Sequence, residues 1–536
     1  MTLLVADLRA FVAAVRKELR QVRRYPTLLL SILFWPVLLP TAWVLMGRAY
    51  SGNDPQALAA FAQRAGSPQV AGFVFVGYAM YMWLSTLLWG PGTALRTEQV
   101  RGSLEAVFLT PASRLVPLFG PGAANILPAS LNFVVMGVAL WLLFGFVPTF
   151  QATLWTLVII VLGVPAMYAI GALFAASVLR FGEVGPVVQL VRGIFVLACG
   201  ITFPVAMLPG WAQVSAWLLP PTYIVEDIRR VLLQGAGPAD VTEHVILVLA
   251  MAVITAGDAE PLLIGDVRAA LAIARKDIRN LSRYRIAVAS MAFTPLYQFV
   301  IPAFLFGAAF AVNGRAAGLT ATLGTDDLTG FIFLGGVVAG IVSTAFWGMA
   351  MSIRNEMDMG TLEPSWLTPT SHEMFVIGRA IGGMLFLILT QAALFLFGIL
   401  FMGLRLRPEM LLALPAVLLA LLSMVGIAYL LAGIVLLIRE ANFFIDTANF
   451  LFVTISGVSF PVTLLPGVLQ PIALALPTTY AVDILRVQAL GARPLFGVGI
   501  EYGLLVAGTA IAYPLGRWAF ARAERTMRRR GMLSQY

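Results

Sequence analysis

Long apolar runs, separated by short polar, basic or proline-containing breaks, recur along the whole chain. They fall at 27–47, 72–92, 121–146, 153–179, 187–203 and 241–257, and again at 286–311, 331–352, 376–403, 410–438, 443–459 and 497–516. A helix needs about 20 such residues to cross the hydrocarbon core of a bilayer, so the pattern predicts six spans in each half. Ahead of the first run, Leu8, Phe11, Val12, Val15, Leu19 and Val22 recur at helical spacing, opposed by Arg9, Arg16, Lys17, Arg20, Arg23 and Arg24. That pattern predicts an amphipathic helix lying in the membrane interface, with a counterpart at 267–285. The long polar stretch before the first span, with no small-residue cleavage site after it, argues against a cleaved signal peptide. One run fits poorly: after His244 the apolar residues reach only Gly257. At 1.5 Å per residue that is about 20 Å, short of a core of about 30 Å.

The two sets of spans belong to a duplication. Arg96-Thr97-Glu98 and Gly102-Ser103-Leu104-Glu105, followed by Leu109-Thr110-Pro111-Ala112-Ser113, align without a gap on Arg354-Asn355-Glu356 and Gly360-Thr361-Leu362-Glu363, followed by Leu367-Thr368-Pro369-Thr370-Ser371. Phe203-Pro204-Val205, Leu208-Pro209-Gly210 and Pro220-Pro221-Thr222-Tyr223 echo in Phe460-Pro461-Val462, Leu465-Pro466-Gly467 and Pro477-Thr478-Thr479-Tyr480, and Lys17-Glu18-Leu19-Arg20 in Lys276-Asp277-Ile278-Arg279. The offsets, 258, 257 and 259 positions, are nearly constant and far longer than a solenoid repeat. The expected organisation is a first unit at 1–256, a linker at 257–265 and a second unit at 266–536. An even number of spans returns each unit to its starting side, so the copies are parallel, related by a pseudo-twofold along the membrane normal.

Composition agrees and narrows the class. With 60% hydrophobic and 11% charged residues in 536, and a mean hydropathy of +0.91, the chain has too little polar surface for a soluble globule. The net charge of +9 sits beside the spans, which reads as the positive-inside pattern rather than a nucleic-acid surface. This predicts a multi-pass protein of the cell membrane with both termini cytoplasmic, including the tail from Arg517 to Arg530. Cys199 is the sole cysteine, so no disulfide forms within the chain, and His244 and His372 lie apart and read as boundary residues with no metal-ligand spacing. Lys17 and Lys276 are the only lysines and neither follows a glycine-rich turn. The chain therefore has no loop to cradle ATP phosphates, and no catalytic constellation, bound cofactor or metal is expected.

The repeated polar segments fall on the cytoplasmic side between the second and third spans. Ser103 and Thr361 can each cap a short helix, with a glycine before them for the turn and Pro111 or Pro369 to end it. Such helices present Glu98 and Glu105, or Glu356 and Glu363, to the cytoplasm. One copy alone would read as a solvated loop with local caps. Retention of the pattern in both halves, where the loops at 48–69 and 312–329 have diverged, points to a docking surface.

On these residues the chain resembles the type-2 ATP-binding-cassette (ABC) transporter permeases, whose unit is an interfacial helix followed by six spans. The resemblance implies an all-α integral membrane protein with two fused permease units and short re-entrant helices before the last span of each. It also implies that Glu98, Gly102, Ser103, Leu104, Glu105, Thr110 and Pro111, with Glu356, Gly360, Thr361, Leu362, Glu363, Thr368 and Pro369, form coupling helices seated on a separate ATPase. Ser103 stands where threonine is commoner in the family. ATP and Mg would then be bound by two copies of that partner subunit and not by this chain.

Other polar positions carry weaker signals. The Phe-Pro, Leu-Pro-Gly and Pro-x-Thr-Tyr segments contain too many prolines for one straight helix. The resemblance makes them re-entrant outer helices, with Trp211 at the interface. Tyr223 and Tyr480 either line an exit or pack structurally. Glu226 with Arg229, and Asp483 with Arg486, stand at i,i+3 and read as local ion pairs. Asn442, Asp446 and Asn449 share one face of the fifth span of the second half; at the 257 offset Gln189 matches Asp446 and Arg192 matches Asn449. Charge at membrane depth is costly and normally faces protein or a water-filled cavity. Arg192 and Asp446 either approach each other across the pseudo-twofold or snorkel to the cytoplasmic edge. The resemblance gives an ATP-driven exporter of a small amphipathic drug, antibiotic or lipid. The rival is an ion-coupled secondary transporter with internal repeats, for which only Asp446 and Arg192 are candidate midplane charges. A membrane-embedded transferase has no cluster to support it.

Overall fold

The computed structural model describes residues 26–52, 54–90, 92–93, 96, 116–181, 184–237, 239–251, 296–311, 316–351, 354, 357, 387–388, 390–436, 438 and 441–529, and no strand occurs among them. In the first half α1 is Pro26–Ser51, α2 Pro55–Ala65, α3 Val70–Trp89, α4 Val116–Phe144, α5 Phe150–Phe181 and α6 Val184–Ala198. A 3-10 turn at Val205–Met207 then leads to α7 (Gly210–Ala216), α8 (Pro220–Gln234) and α9 (239–251). In the second half a π-helical turn, Leu296–Val300, runs into α10 (Ile301–Ala309). It is followed by α11 (Ala317–Leu323), α12 (Leu328–Ser343) with a π-helical extension Thr344–Ala350, and α13 (Thr390–Phe401). A 3-10 turn, Pro408–Ala413, opens α14 (Leu414–Val435), and α15 is Ala441–Ile455. After a second 3-10 turn at Val462–Leu464 come α16 (Gln470–Ala475), α17 (Pro477–Leu490) and α18 (Val498–Arg529).

Among the described residues five helices, Val70–Trp89, Phe150–Ala175, Leu328–Ala350, Pro408–Val435 and Val498–Thr526, are long and apolar enough to cross a membrane. Helices satisfy every backbone donor and acceptor within themselves, which is what hydrocarbon demands of a spanning segment. The chain is an all-α multi-pass membrane protein. Prolines at 36 and 40 in α1, 165 in α5 and 514 in α18 sit inside helices, as spans tolerate when neighbouring groups re-satisfy the freed carbonyls.

Two elements differ from expectation. The fifth helices, α6 and α15, have 15 residues each and stop before 203 and 459. Gly200 (φ 65°) and Gly457 (φ 80°) take the left-handed conformation there and turn the chain. The last helix of the second half, in contrast, continues through the basic tail to Arg529 as one 32-residue element. No glycine or proline follows Gly516 before Arg529, and the Arg, Ala and Glu residues there favour helix. The interfacial helices, the linker at 257–265 and the end of the short sixth run lie outside the described residues.

The chain divides into two compact units, one taking in Met1–Val44 and Leu58–Ala309, the other Leu45–Ala57 and Phe310–Tyr536. In the first, α3, α5, α6 and α8 close a core around Met80, Trp83, Leu84, Met167, Val188, Cys199, Ile224 and Ile228, all buried. In the second, α12, α14, α15, α17 and α18 surround Ile341, Phe346, Met424, Tyr429, Ile445, Ile484 and Phe520. Here α14 and α18 approach through small residues: a Cβ added to Gly516 would lie 1.8 Å from the Gly426 carbonyl oxygen. Lipid tails are as apolar as leucine, so such close backbone packing, rather than hydrophobic burial alone, holds spans together.

Candidate functional site

The residues expected to form the coupling helices, Glu98 to Pro111 and Glu356 to Pro369, lie outside the described residues. The Phe-Pro, Leu-Pro-Gly and Pro-x-Thr-Tyr motifs fall on two arms, one between α6 and α9, the other between α15 and α18.

Both arms have the same construction. Proline at the first turn of α8 and α17 costs no hydrogen bond, because those N–H groups lack helical partners. Thr222 Oγ1 donates to the Ala216 carbonyl at 2.6 Å, and Thr479 Oγ1 to the Ala473 carbonyl at 2.6 Å. Gln213 Nε2 donates to Leu208 O at 2.8 Å, and Gln470 Nε2 to Leu465 O at 2.9 Å. Every one of these residues has its counterpart 257 positions on. The prolines that forbid a straight helix are accommodated by hydroxyl and amide side chains that close the carbonyls left open.

The centre of each arm is a buried arginine. Arg229 is 1% exposed and Arg486 3%. Arg229 donates from Nη1 to Gly200 O at 2.7 Å, and from Nη2 to Ile201 O at 3.0 Å and Phe73 O at 3.1 Å. Arg486 repeats the set on Gly457 O at 2.6 Å, Val458 O at 2.6 Å and Phe331 O at 3.2 Å. Each guanidinium also lies over a ring, 3.5 Å from the Phe73 centroid and 3.6 Å from that of Phe331. A buried cation is costly unless its donors are filled. Here the Nη donors are filled, mostly by carbonyls of the turn that ends the fifth helix, where the helix dipole is negative, while Arg486 Nε is buried with no partner among the described residues. The arginine thus clamps the arm, the end of the fifth helix and the start of the second span together. Gly77 and Gly335 permit this approach, since an added Cβ would lie 1.8 Å from Ile201 O and 2.4 Å from Val458 O respectively.

Sequence reasoning misassigns these arginines. The i,i+3 spacing suggests pairs with Glu226 and Asp483, but the Arg229 and Arg486 donors go to main-chain carbonyls, and Glu226 meets Arg230 at 3.7 Å instead. The signal that could have found them is the recurrence of Arg229 and Gly200 at the 257 offset as Arg486 and Gly457, and of Phe73 at 258 as Phe331.

Where the arms differ is in their titratable groups. Asp227 is buried and meets His244 of α9, Oδ1 to Nδ1, at 2.6 Å. His244, which reads from sequence as a boundary residue, also contacts the rings of Tyr223 and Trp217 at centroid distances of 5.0 and 5.9 Å. Burial pushes the Asp227 carboxyl up to about 6, opposed by the contact with His244. In the second arm the position equivalent to His244 is Glu501, in the first turn of α18 and fully buried. Asp483 accepts from Leu495 N at 2.8 Å and Glu501 from Phe496 N at 2.9 Å. Burial, reinforced by the neighbouring Glu501, pushes the Asp483 carboxyl up to about 7. The two tyrosines also differ. Tyr223 is half-buried in the aromatic group with Trp217 and His244, whereas Tyr480 is buried and donates to the Leu474 carbonyl at 2.5 Å.

The polar face of the fifth helices turns toward the second span of the same unit. Arg192 donates to Gln189 and lies 5.3 Å from the ring centroid of Tyr81 on α3. Its counterpart Asn449 accepts from Ser343 of α12 at 3.1 Å. Asp446 is half-buried and Asn442 exposed on α15.

The chain matches the family model described as ABC-2 type transporter twice, over residues 9–233 and 268–490. Each match stops at the end of the arm helix, α8 or α17, short of the last helix of its half. A search of curated proteins finds no match. Two matches in succession account for the internal repeat, the all-helical fold and the duplicated arms: the chain belongs to the ABC-2 type transporter family and is a permease with two family units fused in one polypeptide.

Proposed function

We propose that the chain is the membrane subunit of an ATP-driven exporter, working with two copies of a separate ABC ATPase. The observation that carries the reading is the retention, in both halves, of the polar segment from Glu98 to Pro111 and from Glu356 to Pro369. One docking segment per half calls for one ATPase subunit per half. ATP binding would draw the two ATPase subunits together, and the segments would pass that movement to the spans. The chain lies in the cell membrane with both termini cytoplasmic, which places the arms of α7–α8 and α16–α17 on the outer side. Gln189, Arg192, Asn442, Asp446 and Asn449 supply the polar positions of the pathway. Tyr223 and Tyr480 stand in the arms at its outer end. The cargo is a small amphiphile, a drug, antibiotic or lipid, reached from the inner leaflet or cytoplasm. Its support is the apolar, Phe- and Met-rich character of the spans and the habit of the family.

The test is co-expression with candidate ABC ATPases, followed by native mass spectrometry of the complex in lipid nanodiscs. The proposal expects one permease chain with two ATPase copies, and hydrolysis that changes when amphiphiles are added. Absence of any complex, with ion-driven transport by the chain alone, would replace the reading with the secondary-transporter one.

A further inference from the structure

The two carboxyl groups of the second arm lack a donor that the geometry requires. Glu501 is fully buried; its Oε1 takes the Phe496 N–H, while its Oε2 is enclosed and has no hydrogen-bond donor among the described residues. Asp483, on the arm helix α17, interacts with it side chain to side chain and takes the Leu495 N–H. Two ionised carboxylates in such a place repel one another, and neither can donate to the other. One added proton turns the contact into an O–H···O bond and halves the charge. The feature is therefore more than a group of acids: a buried oxygen lacks a donor, and a proton supplies it.

We propose that Asp483 and Glu501 form a one-proton site that latches the arm helix α17 to the first turn of the last helix α18. With the proton held, the loop from Gly491 to Gly497 is fastened near its C-terminal end through two successive N–H groups, Leu495 N–H to Asp483 and Phe496 N–H to Glu501. With the proton lost, repulsion between the carboxylates opposes docking of α17 against α18. The ligand is the hydrogen ion, and on the outer-side placement proposed above the site samples the medium into which cargo is released. The latch itself needs neither the ATPase nor the cargo.

The surrounding charges are few. Arg486, on α17 itself, is committed to the three carbonyls of its clamp. Arg407, whose N–H bonds Ala489 O, places its guanidinium against Gly491 at the end of α17. Arg493 of the loop lies against Gly324 and donates its N–H to Leu323 O. Asp327 caps α12 beside Leu490. Tyr480 is engaged with Leu474 O and Tyr502 with Leu412 O. In the first arm the same place is filled by Asp227 and His244, an acid with a base, which can hold opposite charges. The need for a proton shared between two acids thus belongs to the second unit, and the first arm keeps the weaker pH dependence of Asp227 alone.

The sign follows from the raised Asp483 carboxyl. A group whose value is higher when docked than when released contributes stability that is complete below its released value, near 4, and is lost as pH rises through about 7. The experiment is hydrogen–deuterium exchange of the full chain in phosphatidylcholine nanodiscs at about pH 6 and about pH 8.5, corrected for the intrinsic pH dependence of exchange. Peptides covering 491–505 are expected to lose protection about tenfold between those conditions, and peptides covering 239–247 about twofold. Asp483→Asn keeps the acceptor for Leu495 N–H and supplies a permanent donor toward Glu501, so protection should change less than about twofold. Should that variant not fold, Glu501→Gln carries the same test with the donor on the other partner. An unchanged wild-type profile, or a variant that keeps the tenfold loss, overturns the proposal. Because no nucleotide, ATPase or cargo enters the measurement, its failure would leave the transport reading untouched.

Discussion

The arm after α6 and the arm after α15 share a frame and differ in charge. Thr222 and Thr479, Gln213 and Gln470, and the Nη groups of Arg229 and Arg486 make the same bonds to equivalent carbonyls, with lengths that agree within a few tenths of an ångström. His244 and Glu501 occupy equivalent positions and meet an aspartate in each unit, yet one contact is acid with base and the other acid with acid. Groups that satisfy main-chain carbonyls in a low-dielectric setting cannot drift without leaving a buried acceptor open. Groups that set the response to protons are free to diverge once the frame is secure. Duplication in one chain makes that divergence possible, since each arm can change without changing its twin.

The frame is where the largest effects should fall. Arg229→Leu and Arg486→Leu each leave three carbonyls without their donors, and each should cost at least about 3 kcal/mol, since each buried acceptor left open costs about 1–3 kcal/mol. Thermal unfolding in detergent, followed by tryptophan fluorescence, should show two similar losses; a large loss for one and none for the other would break the equivalence of the arms. Lysine at either position should rescue little, because one ammonium cannot reproduce a fork that reaches two turn carbonyls and the second span.

Gly77→Ala and Gly335→Ala come next, at about 1–3 kcal/mol by forced displacement of the turn. The added carbon would stand 1.8 Å from its carbonyl oxygen at Gly77 and 2.4 Å at Gly335, so the first should be the more damaging. The same melting assay ranks them, and the reverse order would mean that the two turns yield differently from what their geometry implies.

The charge difference is sharpened by pH. Asp483 and Asp227 are both raised, so both contribute stability that is present at acidic pH and declines as pH rises, toward about 7 in the second arm and about 6 in the first. The melting temperature of the wild type should therefore fall between about pH 5 and about pH 8, and Asp483→Asn should remove more of that fall than Asp227→Asn. Equal flattening by both would show that His244 and Glu501 act alike. Smallest of all, Thr222→Val and Thr479→Val should each cost about 1 kcal/mol, the usual worth of one hydroxyl-to-carbonyl bond. A difference between them of more than that amount would mark the arms as unlike in frame as well as in charge.

The spans are legible in sequence because an apolar run of about 20 residues matches the thickness of a bilayer and exceeds what most buried helices of soluble proteins need. The duplication is legible for a similar reason: three anchors at nearly one offset leave little room for coincidence. What stays hidden is anything decided by three-dimensional neighbours. Arg229 stands three residues from Glu226 and reads as a local ion pair, yet its partners are carbonyls of Phe73 and Gly200, far away in sequence. His244 looks ordinary because its partner, Asp227, lies 17 positions back, across the break between α8 and α9. The early ends of α6 and α15 are marked by Gly200 and Gly457, but a glycine within an apolar run signals a turn only weakly. The length of α18 escapes hydropathy because the onset of charge marks the end of the membrane and not the end of the helix.

The central claim is that each half of this permease takes up force from its own ATPase subunit through its own polar segment. The direct measurement is ATP hydrolysis by the purified complex in nanodiscs, compared among wild type, Glu105→Arg, Glu363→Arg and the double variant. The account predicts that each single reversal of charge weakens the complex and lowers cargo-responsive hydrolysis, and that the double variant loses both. Full assembly and unaltered cargo response in the double variant would contradict it.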